Sequence, residues 1–169
     1  MVAGATNDNL VKTAFIVAIS VLNWPVFGLD ILFLVNLAAI CLIFPFLIFA
    51  APAARLARHE SPKKTLLHLK LLELALASIA SLAIFFEQGT VLIVCILGFG
   101  IQSAFIGPLK YSLLPMTQPD HMLLKANAWM QSGTFIAILV GTLLGADWII
   151  RSSIVLIVLI PGLAIIGLI

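Results

Sequence analysis

Asp8, Asn9 and Lys12 fall within the stretch GATNDNLVKTAF, residues 4–15, immediately ahead of a run of hydrocarbon side chains. Residues four apart share one face of a helix, so Asp8 and Lys12 can pair, with Asn9 on the border of that face. Enclosed in a helical bundle, a carboxylate, an amide and an ammonium make a substrate or proton site. Lys70 and Glu73 are three apart, with His68 nearby, and fit either a structural ion pair near a membrane edge or a functional pair. Lys110 follows Pro108, a residue that withdraws a backbone donor, and either snorkels to a surface or projects into a cavity to bind an anion.

Other chemistry is poorly supported. His68 and Glu73 match loosely the spacing of histidine and acid in glycerolipid acyltransferases, but a leucine-rich helix could not open there to an acyl donor. His59 and His121 lie in loops, where solvation explains them. Cys41 and Cys95 each sit inside an apolar run as small buried hydrophobes, so neither a disulfide nor a metal site is expected. There is no nucleophile and base pair, no metal-ligand cluster and no phosphate-binding glycine loop, so neither catalysis nor a cofactor is expected. A net charge of +2 offers no basic surface for nucleic acid.

The elements that must hold these residues are membrane helices. The 169 residues are 63% hydrophobic and 9% charged, with a mean hydropathy of +1.23. A water-soluble domain could not solvate such a surface. Long apolar runs without period-two alternation read as spanning helices, giving an all-α integral membrane protein. No cleavable signal is expected, because residues 1–9 lack a basic start. Proline, glycine and charge divide the chain into about six crossings, at about 5–27, 31–54, 62–86, 90–114, 124–146 and 152–169, in one bundle.

Gly28 and Asp30 turn the first crossing into the second, making a tight hairpin, and Pro45 and Pro52 kink the second. Ser61 caps the third and Pro62 opens it. The turn EQG, residues 87–89, leads into the fourth, and PMTQPDHMLLK, residues 115–125, into the fifth. Arg55, Arg58, Lys63 and Lys64 follow helix two, Lys110 and Lys125 flank the loop after helix four, and the opposite side shows Arg151. The basic loops, and with them the amino terminus, are therefore expected in the cytoplasm.

Two placements are open to Asp8 and its neighbours: a solvated chain end, or the interior. Placed outside the bilayer they leave only Thr13 to Phe27, about 15 residues, as a pure apolar span, which is short for a crossing. Burial is therefore favoured. Gly133, Ala137, Gly141 and Gly145 recur every fourth residue, a smooth ridge for close helix approach, and Gly100, Ala104 and Gly107 beside Pro108 form a looser one.

GATNDNLVKTAF, QSAFIGPLKYSLLP and LLKANAWMQSGTFIAILVGTLLG, in this order, resemble the first, fourth and fifth helices of the lysophospholipid transporter family of the major facilitator superfamily, which includes forms fused to an acyltransferase and an acyl-carrier-protein ligase. The resemblance implies the amino-terminal six-helix half of a twelve-helix transporter in the bacterial inner membrane. Such a protein moves lysophospholipid, chiefly lysophosphatidylethanolamine, between leaflets by alternating access. It also implies that Asp8, Asn9 and Lys110 face a central cavity, with Lys12 adjacent. Charge complementarity with such a head group then gives the expectation that Asp8 meets its ammonium and Lys110 its phosphate, with Asn9 orienting one of them by hydrogen bonding.

The loop AARLARHESPKK places Ala54 and Arg58 where the superfamily pattern has glycine and aspartate. The expected partners are the substrate, membrane lipid, a carboxy-terminal half or second subunit, and an acyltransferase or acyl-carrier-protein ligase. The chain is expected to be an incomplete piece of a longer product, with a dimer or a second polypeptide as the alternative. Competing functions are a non-catalytic membrane module of a lipid acyltransferase system and an inactive transporter fragment.

Overall fold

A computed structural model describes residues 2–59 and 61–168, with the side chain of His59 excluded. The solvation expected of the His59 side chain therefore lies outside the described residues, while the sixth helix, expected over 152–169, ends at Ile166. Six α-helices follow in order: α1 (Val2–Ser20), α2 (Ile31–His59), α3 (Pro62–Phe85), α4 (Gly89–Thr117), α5 (Leu123–Arg151) and α6 (Ser153–Ile166), with a 3-10 turn at Asp120–Met122 before α5. The protein is an all-α membrane protein. Four stretches, 31–58, 62–85, 89–117 and 120–151, are long and apolar enough to cross a bilayer, and α6 is a shorter apolar helix.

Several boundaries differ from those read in the sequence. α1 ends at Ser20 rather than near residue 27, because Asn23, Phe27 and Gly28 take positive φ and break the helical path. That segment is packed: Trp24 and Val26 are buried. Asp30 opens α2 as a cap, its Oδ1 accepting the backbone N–H of Leu32 at 2.8 Å, which satisfies a donor that the helix itself cannot. Ser61 is extended and Pro62 begins α3, but the Ser61 side chain makes no capping bond. Its carbonyl instead receives both the N–H and the hydroxyl of Thr65. α2, α4 and α5 each run beyond their expected ends, and α4 passes through Pro108 and Pro115 without interruption.

α1 is the central helix, with eleven of its 19 residues buried. It packs chiefly on α5, whereas α2 packs chiefly on α4, and α3 lies against α4 and α6. The α1–α2 hairpin is thus a connection more than a packing unit. Glycine explains the two closest seams. A Cβ at Gly141 would collide with the Thr6 carbonyl oxygen and one at Gly145 with that of Leu10, one turn further on. Ala137 is buried on the same ridge, and Gly133 faces the Val2 side chain.

On α4, Gly100 meets the Cys41 carbonyl of α2, and a Cβ at Gly89 would lie 2.6 Å from Val26 Cγ2. Gly107 differs from the ridge expected of it. No atom lies within 4 Å of where its Cβ would be, because that face of α4 borders a cavity. The apolar core fills the seams with Phe15, Phe99, Leu92, Ile96, Leu156 and Ile160. Outward-facing Leu32, Leu47, Phe135 and Leu139 are exposed, as suits side chains whose solvent is hydrocarbon.

Candidate functional site

A cavity of about 360 Å³ opens among α1, α2, α3, α4 and α5. Helical periodicity builds it. Gly4, Ala5, Asp8, Asn9 and Lys12 recur at three- and four-residue intervals on one face of α1, and Gln102, Ser103, Ile106, Gly107 and Lys110 do the same on α4. α3 adds Lys70 and Glu73, while Leu42, Ile43 and Phe46 of α2 and Thr134 and Ile138 of α5 complete a largely apolar wall.

Polar side chains link three helices inside this space. The Ser103 hydroxyl lies 2.5 Å from Asp8 Oδ2 and 3.3 Å from Gln102 Oε1. Gln102 Nε2 donates to Glu73 Oε2 at 3.0 Å, and Lys70 Nζ donates to the same oxygen at 2.8 Å. The Lys70 and Glu73 side chains are 5% and 0% exposed. The pair is therefore inside the bundle and not at its rim. Gly4 makes room for it, since a Cβ there would lie 3.2 Å from Glu73 Oε1 and 3.4 Å from Lys70 Nζ.

The structure brings Asp8, Asn9, Lys12 and Lys110 to one cavity, but their pairing differs from the expected one. Lys12 donates to Asn9 Oδ1 at 3.0 Å, and Asn9 donates back to the Ala5 carbonyl of its own helix. Among the described residues no cation lies within ion-pair distance of Asp8. The reason is geometric: Ser103 of α4 reaches the carboxylate directly, while the long Lys12 side chain finds its acceptor in Asn9 one turn back. Lys110, also partly exposed, stands 5.2 Å from the centroid of the Tyr111 ring, a cation–π contact. The Tyr111 hydroxyl in turn accepts from Gln131 of α5.

Sequence reasoning passed over Gln102 and Ser103 as functional residues. A signal was present: they stand two turns before Lys110, on the face that Lys110 shares, so a cavity at Lys110 implies polar groups above it. Two carboxylate oxygens within this group, Asp8 Oδ1 and Glu73 Oε1, are buried without a hydrogen-bond partner, and so is the amide of Asn7 on another face of α1. Buried polar atoms are nearly always satisfied. The two oxygens belong to residues that line the cavity.

Over 71 residues, amounting to 40% of this chain, the sequence is 35% identical to the lysophospholipid transporter LplT from each of two Klebsiella pneumoniae strains. The matched stretch spans only 18% of those relatives' length. No family model matches the chain, and no solved structure matches it.

Proposed function

We propose that this chain is one six-crossing half of a lysophospholipid transporter of the major facilitator superfamily, and that its cavity holds the lipid head group. A single observation carries this reading: one cavity presents carboxylates at Asp8 and Glu73, ammonium groups at Lys12, Lys70 and Lys110, and an apolar wall. Lysophosphatidylethanolamine offers the complement, an ammonium for Asp8 and a phosphate for Lys110 and Lys12, with one acyl chain along Phe46, Ile106 and Ile138. In a site removed from water such charge pairs are far stronger than at a surface. The likeness to the lysophospholipid transporter LplT supports a lysophospholipid as cargo.

Transport by rocking of two halves about a midplane site requires a second six-helix unit as partner. The basic loop between α2 and α3 faces the cytoplasm of a bacterial inner membrane in this arrangement.

The test is binding of fluorescent lysophosphatidylethanolamine to the chain purified from membranes with whatever copurifies. Lys110→Ala and Asp8→Asn should each weaken binding about tenfold, a loss of about 1.4 kcal/mol, without lowering thermal stability. Wild-type affinity in both variants would remove the cavity from the function. A third variant probes the space itself. Gly107→Leu meets open volume and should abolish binding while the helical bundle stays intact, measured by circular dichroism alongside the binding assay.

A further inference from the structure

The hydrogen bonds that join Asp8 to Glu73 lack one hydrogen. Ser103 has a single hydroxyl proton, yet its oxygen lies within bonding distance of two acceptors, Asp8 Oδ2 and Gln102 Oε1. With Asp8 ionised, that proton serves the carboxylate, and Gln102 Oε1 loses its only donor in this group. Adding one proton to Asp8 completes the series. Asp8 donates to Ser103, Ser103 donates to Gln102 Oε1, and Gln102 Nε2 donates to Glu73 Oε2, which Lys70 also holds.

Charge gives the same answer. Lys70 is neutralised by Glu73, and Lys12, though on the same cavity face, donates to the neutral amide of Asn9, so among the described residues an ionised Asp8 is a buried anion with no cation in contact. Around Asp8, α1 itself contributes Lys12, α3 contributes Lys70 and Glu73, and α4 contributes Lys110. The cavity lining from α2 and α5 is uncharged, and α6 carries no ionisable side chain.

The geometry points to Asp8 as a proton-binding site, coupled through Ser103 and Gln102 to the Lys70–Glu73 pair, at which a proton and the ammonium of the cargo compete. Water in the cavity delivers the proton to the carboxylate, and an O–H bond forms on Asp8. Arrival of an ammonium returns that proton to water. The cargo half of this statement rests on the proposed lipid site, whereas the proton site does not.

Two readouts separate the parts. Infrared difference spectra of the full chain in lipid, taken between alkaline and acidic buffer, should show the carbonyl stretch of a protonated carboxyl that disappears in Asp8→Asn. The band should persist but shift in Ser103→Ala, which keeps the acid and removes its partner. A band unaffected by Asp8→Asn and lost in Glu73→Gln would overturn the assignment, as would one that responds to sodium in place of choline chloride but not to pH. In weakly buffered solution with a pH dye, adding lysophosphatidylethanolamine should release about one proton per lipid bound. Binding without release would overturn the competition and leave the lipid site standing. Absence of binding with the infrared band intact would overturn the lipid site alone.

Discussion

Replacing Lys70 by Met should destabilise the bundle by about 3–5 kcal/mol, because it leaves Glu73 as a buried charge without its partner. The Lys70 ammonium sits where three helices converge. It bonds Glu73 on α3, stands 3.4 Å from a Cβ placed at Gly4 of α1, and 3.0 Å from one placed at Gly167, just beyond α6. Glu73→Leu alone should cost a similar amount by stranding the ammonium. The double variant Lys70→Met with Glu73→Leu should recover most of the loss, since a buried ion pair replaced by apolar groups of similar volume is often neutral. Thermal unfolding in detergent, followed by circular dichroism for the two single variants and the double variant, measures the coupling. Additive losses would show that the pair does not act as a unit.

Gly141→Ala should produce the second large effect. The methyl group would overlap the Thr6 carbonyl oxygen, and because that atom is backbone it cannot rotate aside. α5 must then withdraw from α1 along the seam that places Asp8. Overpacking of this kind costs about 1–3 kcal/mol, and Gly145→Ala, against the Leu10 carbonyl, should add to it. Gly162→Ala is the control, since no atom lies within 4 Å of its Cβ position. There the change should be neutral or slightly stabilising through helix propensity. Equal losses at Gly141 and Gly162 in the same thermal assay would show that close backbone approach is not what the ridge provides.

The all-α membrane class could be read from the chain because apolar runs and their punctuation are local properties. Gly141 and Gly145 were legible as a close seam for the same reason: a four-residue repeat of small side chains has one use in lipid. Which helix they meet was not legible, since α1 and α5 are far apart in sequence. The Asp8–Lys12 pairing failed for a related cause. Spacing along α1 fixes which residues share a face, but Ser103, 95 positions away, offers Asp8 a better partner. Lys70 and Glu73 were recognisable as a pair, whereas their depth depends on α4 and α6 closing over them.

The ten residues between α1 and α2 carry a consequence for distance. Backbone without regular hydrogen bonding is not tolerated against lipid tails, so for an α1 that crosses the bilayer the end of the helix at Ser20 marks the boundary of the hydrocarbon. Twelve residues of rise place Asp8 about 18 Å beneath that boundary, within a core about 30 Å thick. On the proposed lipid reading, a head group that enters from the Ser20 side must leave the interface and travel more than half the thickness of the slab to reach this carboxylate. One from the opposite face has about 12 Å to cover. Either way its acyl tail cannot stay at its usual depth among its neighbours.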